Sequence, residues 1–251
     1  MADSPPMTVE SRNFPQFFIT AATPCPYLPG QKERKVFTHL VGPDARALAG
    51  QLLQSGYRRS QSIAYRPACE ACSACASTRV AVKDFVWSRS FKRVAKLNAD
   101  LVTNSALPQA TSEHYEVFRS YIDTRHADGG MADMSVLDFA AMIDETVVDT
   151  RLIEYRYGPG HRECGALVAT VLLDVLPDGL SLIYSFFDPA LQHRSLGTFI
   201  ILDCIAKTQR LNLAYLYLGY FVAGSRKMKY KSRFKPQERL TPSGWISATS
   251  S

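Results

Sequence analysis

Three apolar runs in the second half of the chain have the pattern of β-strands. They are RLIEYRY at 151–157, ECGALVATVLLDVL at 163–176 and LSLIYSFF at 180–187. Turns rich in glycine and proline separate the runs, because these residues favour tight changes of backbone direction. SLGTFIILDCIAKTQRLN at 195–212 has helical spacing, and LAYLYLGYFV at 213–222 reads as a further strand. Three strands, a crossover helix and one more strand predict a mixed α+β sheet.

The first half of the chain is predicted to hold shorter elements. The expected strands are at 14–20, 35–40, 57–65 and 77–82, and the expected helices at 43–56, 90–101, 112–126 and 135–143. We place a domain boundary near residue 105, which gives an N-terminal domain at 14–105 and a C-terminal domain at 106–240. Residues 1–13 and 241–251 are expected to be disordered tails.

The hydropathy pattern also bears on the compartment. The sequence has no run of eighteen apolar residues, so we expect no membrane span. Its first residues lack the basic and apolar regions of a secretory signal. These features predict a cytoplasmic protein, and in that compartment clustered thiols are more often metal ligands or redox groups than disulfides. No G-x-S-x-G, P-loop or H-E-x-x-H motif points to a hydrolase or a kinase.

Charge is distributed unevenly along the 251 residues, whose net charge is +6. Residues 1–100 carry +7, residues 101–224 carry −7, and residues 225–251 carry +6. Basic ends around an acidic middle favour a polyanionic partner, with nucleic acid as the first candidate. A solvated basic surface without a ligand remains the alternative.

Six cysteines occur in the chain, and three of them lie within RPACEACSACAS at 66–77. Cys69, Cys72 and Cys75 are too few for a four-thiolate site, and Cys25 is the candidate for the fourth ligand. Four thiolates suit tetrahedral Zn²⁺ or an iron–sulfur cluster. The alternative is that they are small buried residues or free thiols. Cys164 and Cys204 are predicted to be core residues instead.

A turn before the long helix contains Arg194, Ser195 and Gly197. N-acetyltransferases bind the pyrophosphate of their acyl carrier at such a strand-to-helix turn, where backbone N–H groups at the helix start face the phosphate. The position two residues after the first glycine is usually small, but here it is Phe199, whose size argues against coenzyme A. The alternative is an ordinary helix start capped by Ser195.

The most basic stretch is SRKMKYKSRFKP at 225–236. In an extended conformation five of its six cations, Lys227, Lys229, Lys231, Arg233 and Lys235, would share one face, and mostly apolar side chains would lie on the other. Such a ladder predicts contact with nucleic acid phosphates, with aromatic residues available to stack on bases. The alternative is an edge strand that lysines protect from pairing.

Several motifs together resemble the aminoacyl-tRNA–protein transferases, and most closely their bacterial branch, the aspartate/glutamate leucyltransferases. The motifs are CPYLPGQKERKVFT, YRRSQSIAYRPACEACSAC, RHADGGM, LSLIYSFFDP, RSLGTFIIL, YLYLGYFV and KMKYKSRFKP. The resemblance runs from about residue 14 to residue 240, so it covers nearly the whole chain.

The resemblance implies an enzyme that moves leucine from leucyl-tRNA to the N-terminal amine of proteins beginning with Asp or Glu, in the N-degron pathway of protein degradation. It implies an acetyltransferase-like (GNAT-like) C-terminal mixed sheet with flanking helices, preceded by a small cysteine-bearing α/β region. Transfer needs no cofactor. Eukaryotic relatives are associated with an iron–sulfur cluster on N-terminal cysteines of different spacing, and the four cysteines here are candidates for such a cluster or for zinc. Arginyl transfer, a coenzyme A–dependent N-acetyltransferase and a non-enzymatic metal-bearing RNA-binding module remain the alternatives.

Site residues follow from this reading of the chemistry. An aminoacyl ester is already activated, so the protein must align the amine, accept its proton and stabilise an oxyanion. We expect Asp188 to take the proton, and Tyr184 or the Ser185 backbone to lie near the oxyanion. The candidates for phosphate binding are Arg194, Ser195, Gly197, Lys227, Lys229 and Lys231. Arg66 or Arg79 is expected to bind the acidic first residue of the acceptor.

Overall fold

Short elements fill the first half of the chain and long strands the second, as seen in a computed structural model that describes residues 15–127 and 129–248. The strands are β1 (Phe18–Ile19), β2 (Thr23–Pro24), β3 (Lys32–Glu33), β4 (Lys35–His39), β5 (Arg58–Ser60), β6 (Ile63–Pro67), β7 (Cys75–Ala81), β8 (Leu101–Ala106), β9 (Thr150–Tyr157), β10 (Leu167–Val175), β11 (Gly179–Phe187), β12 (Tyr215–Val222), β13 (Gln237–Thr241) and β14 (Gly244–Ser247). The α-helices are α1 (Ala45–Gln54), α2 (Arg89–Leu97), α3 (Ser112–Arg125), α4 (Val136–Asp144) and α5 (Leu196–Arg210). The 3₁₀ helices are Val82–Asp84, Pro189–Arg194 and Arg226–Arg233.

A mixed sheet of eight strands forms the centre of the molecule, in the order β14-β13-β7-β12-β11-β10-β9-β8. β9, β10 and β11 are antiparallel neighbours, and β12 returns parallel to β11 after the crossover helix α5. The predicted α+β sheet, with three strands, a helix and a fourth strand and with flanking helices, is therefore confirmed. The chain needs a crossover such as α5 between β11 and β12, because a tight turn cannot join two parallel neighbouring strands.

Both faces of this sheet are covered by helices, because successive side chains of a strand point to opposite faces. On one face α5 contributes Ile200 and Cys204 to a core that includes Tyr155 of β9. On the other face Phe118 of α3 and Phe139 of α4 pack together, with ring centroids 4.7 Å apart. α4 begins with a capping box, in which Ser135 and Asp138 satisfy each other's backbone N–H groups.

A smaller antiparallel sheet, in the order β1-β4-β6-β5, lies at the N-terminal end, and β2 pairs with β3 separately. Helix α1 packs on it, with Leu52 of the helix in the same apolar cluster as Leu40, which follows β4. A buried ion pair links this region to the large sheet: Arg59 of β5 donates to Asp174 of β10 from Nε at 2.6 Å and from a terminal nitrogen at 2.7 Å. No helix of the described residues is long and apolar enough to cross a membrane.

Two of the predicted boundaries differ from the structure. The division near residue 105 falls inside β8, and β7 sits between β12 and β13, so residues 75–106 supply strands to the large sheet. Side-chain patterns cannot reveal this, because strand pairing is non-local. The predicted tail at 241–251 contains β14, which pairs with β13. Residues 1–13 lie outside the described residues.

Candidate active site between two diverging strands

The parallel strands β11 and β12 pair over only three residues and then separate. Gly179–Ser181 pairs with Tyr215–Tyr217, and no further pairing joins the two strands. β11 also contains a bulge, because Leu172 lies opposite Tyr184 whereas Leu173 lies opposite Leu182. Bulges redirect side chains and are common beside active sites. The carboxyl ends of these two strands therefore border a gap.

Arg58 of β5 reaches the point where the gap begins. Its guanidinium donates to the Ser181 hydroxyl at 3.3 Å and to the Leu182 carbonyl at 2.5 Å. On the β12 side it lies against Gly219, where an added Cβ would stand 3.0 Å from the guanidinium carbon. Gly219 also has a φ of +80°, which favours glycine. A cation from the small sheet thus occupies the space in which β11 and β12 would otherwise continue pairing.

A second buried cation contacts β12 from the 3₁₀ helix Arg226–Arg233. The ammonium of Lys231 donates to the carbonyls of Leu218 and Tyr220, each at 2.8 Å. Burial, and to a smaller extent the charge of Arg58, lowers the pKa of Lys231 to about 7. Lys231 is therefore close to its midpoint of protonation at neutral pH.

We expect Lys231 to make the folded protein more stable as the pH rises from about 7 to about 9. A lysine in an unfolded chain has a pKa of about 10.4, so in this range the unfolded state binds more protons than the folded state. The free energy of unfolding then rises by up to about 1.4 kcal/mol per pH unit. Urea unfolding should show that Lys231→Met removes this rise. The same pH dependence in both proteins would contradict the assignment.

Three tyrosines with raised pKa values lie near the gap, on β11, α3 and the 3₁₀ helix. Burial raises the pKa of Tyr184, Tyr121 and Tyr230, and Tyr121 lies close enough to the other two to raise theirs further. The Tyr121 ring also packs against Phe187, with centroids 4.8 Å apart. At neutral pH these hydroxyls remain protonated, so each can donate a hydrogen bond to a developing negative charge.

The predicted catalytic residues all lie on β11 or directly after it. Tyr184 is at the bulge, Ser185 follows it, and Asp188 comes after the last residue of the strand. The Asp188 carboxylate accepts a hydrogen bond from the Ala190 backbone at 2.9 Å, which caps the following 3₁₀ helix. Its assignment as the proton acceptor stays a prediction, as does that of the Ser185 backbone.

The predicted phosphate-binding turn is folded differently from our expectation. Arg194 is buried, and its guanidinium donates to Asp100 and to the Leu97 carbonyl, so its charge is already neutralised. Ser195 has a φ of +53° and makes no side-chain cap, so both the phosphate role of Arg194 and the capping role of Ser195 are corrected. Gly197 remains at the start of α5, where an added Cβ would lie 3.4 Å from the Phe187 ring.

Phe199 does not stand across the start of α5. Its ring packs against Tyr155 in the core, with centroids 5.7 Å apart. The steric argument against coenzyme A that we drew from the size of Phe199 therefore receives no support from its position. Helix periodicity explains the difference, since the fourth residue of α5 faces the sheet.

The basic stretch is not an extended ladder. Residues 226–233 form a 3₁₀ helix, in which side chains three positions apart share a face. Lys227 and Lys229 are exposed, as predicted for phosphate contacts, whereas Lys231 is buried under β12. Lys231 is therefore corrected from a phosphate ligand to a structural cation.

Of the two predicted acceptor-binding arginines, the structure leaves one accessible. Arg79 donates to Glu238 at 2.7 Å and stacks on Tyr215 at 3.5 Å, on the face of the sheet that Trp245 covers. It is thus neutralised and enclosed, which corrects its assignment. Arg66 of β6 is exposed and lies 5.0 Å from the ring centroid of Tyr57.

All four predicted metal-binding cysteines line one small cavity of about 60 Å³. Burial, and to a smaller extent the neighbouring Cys25, Cys69 and Cys72, raise the pKa of Cys75 to about 11. The thiols thus converge, although no three His, Cys, Asp or Glu side chains of the described residues are arranged so that they could hold a metal ion. Cys204 is buried in the core as predicted, but Cys164 is exposed, so its prediction as a core residue was wrong.

Sequence reasoning missed Arg58, Tyr121 and Tyr230. Nothing in YRRS distinguishes Arg58, which reaches the gap, from Arg59, which pairs with Asp174. The two tyrosines lie on separate elements, and their proximity to Tyr184 depends on how α3 and the 3₁₀ helix pack. The sequence carried one usable signal. Neighbouring residues of a strand face opposite sides, so Arg58 and Arg59 could be predicted to point in opposite directions, but not which of them faces the gap.

Comparisons with known proteins relate the whole chain to other sequences and structures. The family description "Arginine-tRNA-protein transferase, C terminus" matches residues 113–241, and "Arginine-tRNA-protein transferase, N terminus" matches residues 23–93. A protein of Azorhizobium caulinodans named aspartate/glutamate leucyltransferase is 60% identical over 244 residues, covering 95% of this chain and 98% of the relative. A protein of Xanthobacter autotrophicus with the same name is 57% identical, and the match covers 95% of this chain and 98% of the relative. The solved structure of L-PGS from Bacillus licheniformis aligns with a TM-score of 0.45 and 10% identity, covering 76% of this chain and 56% of that one.

Proposed function

Because the chain belongs to the arginine-tRNA-protein transferase family, we propose that it transfers leucine from leucyl-tRNA to the N-terminal amine of proteins that begin with aspartate or glutamate. As a member of that family it is an aminoacyltransferase. The observation that carries the leucyl assignment is the 60% identity to a leucyltransferase over nearly the full length of both chains. Such a reaction belongs to cytoplasmic N-degron degradation, where charged tRNA is available.

Arginyl transfer to the same acceptors is the second candidate, since the matching family description names arginine. The two reactions differ only in the donor side chain, so the same backbone site would serve both. An N-acetyltransferase that uses coenzyme A is the third, and it shares the helix start at Gly197. The three reactions use different donors and give different products, so assays that supply one donor at a time distinguish them.

We place the transfer step in the gap between β11 and β12. There the acceptor amine attacks the ester carbonyl, and the leaving group is the 3′-terminal ribose oxygen of the tRNA. The protonated hydroxyls of Tyr184 and Tyr230 are our candidates for hydrogen bonds to the oxyanion, because donors held in place before the reaction lower its barrier. Arg58 acts as a positioning residue that holds the strands apart.

The acceptor amine has a solution pKa of about 7.7–8.0, so a weak base is sufficient to remove its proton. Asp188, at the carboxyl end of β11, is our candidate for this role. For the acidic first residue of the acceptor we retain Arg66, whose exposed guanidinium can form a bidentate pair with a carboxylate.

Purified protein should transfer labelled leucine from leucyl-tRNA to peptides that begin with Asp or Glu. Peptides that begin with Ala, or whose amine is blocked, should receive none, because a site built to pair with a carboxylate strongly rejects acceptors that lack one. Parallel reactions with arginyl-tRNA and acetyl-coenzyme A test the alternatives. Labelled product from acetyl-coenzyme A alone, with none from either charged tRNA, would refute the proposal.

We further propose that Cys25, Cys69, Cys72 and Cys75 bind zinc or an iron–sulfur cluster. Because no three of these side chains are arranged in the structure so that they could hold a metal ion, binding would have to draw the four thiols closer together. Their four thiols supply the soft donors that both prefer, and they line one cavity. A bound group would connect the N-terminal segment containing Cys25 with the loop before β7. In this role the four cysteines would shape the protein beside the gap without taking part in the transfer step.

Protein prepared anaerobically in iron- and zinc-replete medium should contain zinc or iron, because metal binding to four thiolates strongly favours the folded site. Cys72→Ser should lose the metal and unfold at lower urea concentration. The control is Cys164→Ser, which changes an exposed cysteine outside the cavity and should retain the metal. Elemental analysis that finds neither zinc nor iron in the fresh parent protein would refute the proposed metal binding by the four cysteines.

A further inference from the structure

A strongly basic cavity of about 520 Å³ lies beside the end of β12, outside the gap described above. Four cationic residues line it: Arg226, Lys229, Lys235 and Arg239. No Asp or Glu is among its lining residues within the described part of the chain. The like charges of Arg226, Lys229 and Arg239 around one concavity repel one another, and a nearby anion would offset this repulsion.

Arg239 of β13 is the residue whose environment most needs such an anion. Its guanidinium lies 3.9 Å from the ring centroid of Phe221, and its Nε is buried without a hydrogen-bond partner. Burial also lowers the pKa of Arg239, which means that the surroundings disfavour its charge. A buried donor without a partner costs about 1–3 kcal/mol, and more when the group is charged.

Other arginines of the large sheet are neutralised within the protein. Arg79 pairs with Glu238, and Arg156 pairs with Glu113 at 2.7 Å. Arg59, which reaches the sheet from β5, pairs with Asp174. Among the described residues Arg239 has an aromatic neighbour but forms no ion pair with a carboxylate. An anion from outside the chain would supply the missing partner.

The cavity and the proposed transfer site lie along the same strand, β12. Phe221 and Val222 line it and are the last residues of β12, whose preceding residues border the gap and accept from Lys231. Lys229 and Lys231 belong to the same 3₁₀ helix, which therefore contacts both places. An extended polyanion that has one end in the gap and follows β12 would meet these cations.

From this geometry we infer that the cavity binds backbone phosphates of the unpaired 3′ strand of the donor tRNA. The inference rests on the proposed function, since it takes a polyanion that carries its acyl group at one end. Arg226 and Lys229 are exposed and contact the phosphates. Arg239, whose guanidinium carbon lies 3.9 Å from the ring centroid of Phe221, adds a third cation to the same phosphate-binding surface.

The test measures binding of uncharged tRNA over a range of salt concentrations. The cavity variant is Arg226→Ala/Lys229→Ala, and its control is Arg46→Ala/Arg162→Ala, which removes the same charge at exposed arginines outside the cavity. Each lost contact with a single strand lowers the slope of log affinity against log salt by roughly 0.7. We expect a decrease of about 1.4 for the cavity variant and little change for the control.

A second arm uses tRNA that lacks its unpaired 3′ nucleotides. With this shortened tRNA, the parent protein and the cavity variant should bind equally, because the phosphates that the cavity contacts are gone. Arg239→Gln should weaken binding of intact tRNA but not of shortened tRNA. Equal effects of the cavity and control variants, or an effect that persists with shortened tRNA, would overturn the inference.

These readouts need no transfer reaction, so the two proposals can fail separately. If the parent protein binds tRNA through the cavity but transfers no leucine, the proposed function is wrong and the site stands. If it transfers leucine and the cavity variant keeps the parent KM for leucyl-tRNA, the site is wrong and the function stands. Circular dichroism of each variant confirms that it is folded.

Discussion

Replacing Arg59 with alanine is expected to lower the free energy of unfolding by about 3–5 kcal/mol, because it leaves the Asp174 carboxylate buried without its partner. Both side chains are 4% exposed, and two short hydrogen bonds join them. Thr150 donates a further bond to the same carboxylate at 2.7 Å. Urea unfolding followed by circular dichroism measures the loss as a shift of the midpoint.

The matched control is Arg46→Ala, which removes an arginine from an exposed pair. Arg46 lies 3.1 Å from Asp149, but its side chain is 65% exposed, so its loss should cost less than about 1 kcal/mol. The double variant Arg59→Met/Asp174→Leu should recover much of the stability, since apolar pairs often replace buried ion pairs without loss. A loss below about 1 kcal/mol for Arg59→Ala would show that the pair contributes little.

This pair also matters for the active site. Arg59 connects β5 to β10, and its neighbour Arg58 points from the other face of β5 into the gap. The small sheet is therefore attached to the large one by two adjacent arginines, of which one stabilises the attachment and the other meets the diverging strands. Loss of Arg59 should consequently reduce transfer as well, through the position of Arg58.

Gly219→Ala is expected to reduce the rate of leucyl transfer by roughly 10-fold, because misplacing a positioning group by about 1 Å costs on the order of 100-fold and this contact displaces Arg58 by only a fraction of an ångström. The new Cβ would stand 3.0 Å from the guanidinium carbon of Arg58 and 3.1 Å from its Nε, so the guanidinium must move. Its bonds to Ser181 and Leu182 would then be lost, and with them the spacing of β11 and β12. The measurement is kcat with saturating leucyl-tRNA and acceptor peptide.

Gly160→Ala is the control that separates the effect of the contact with Arg58 from the effect of placing alanine at a positive φ. Gly160 also has a positive φ, of +91°, but an added Cβ there meets no atom within 4 Å. Both variants should lose about 1–3 kcal/mol of stability through the strained backbone, while only Gly219→Ala should lose activity. Similar activity losses in the two variants, or full activity in Gly219→Ala, would contradict the role of Arg58.

Periodicity determined most of the second half of the chain. The strands β9, β10, β11 and β12 and the helix α5 were predictable, because their residues alternate or repeat along the chain and each element is long. The capping box at Ser135 was visible for the same reason, since it depends on residues three positions apart. Local physics also suggested Cys25 as the companion of the three clustered cysteines, and the structure brings all four to one cavity.

Charge and residue type alone could not show which cations are free. Arg79, Arg194 and Lys231 looked as available as Arg66 and Lys229, yet the fold gives the first two a carboxylate partner and buries the third. Partners such as Glu238 for Arg79 lie far along the chain, and no spacing rule connects them. The conformation of 226–233 was also undetermined, because alternating cations suit an extended strand and a 3₁₀ helix equally.

The sequence by itself therefore determined the order of the elements, the family and the chemistry that the ends of the chain favour. Tertiary structure decided where that chemistry can take place. The gap between β11 and β12 exists because Arg58, from another sheet, occupies its start, and its tyrosines come from three separate elements. Contacts of this kind join residues more than 100 positions apart, such as Arg58 and Ser181, and only the packed chain brings them together.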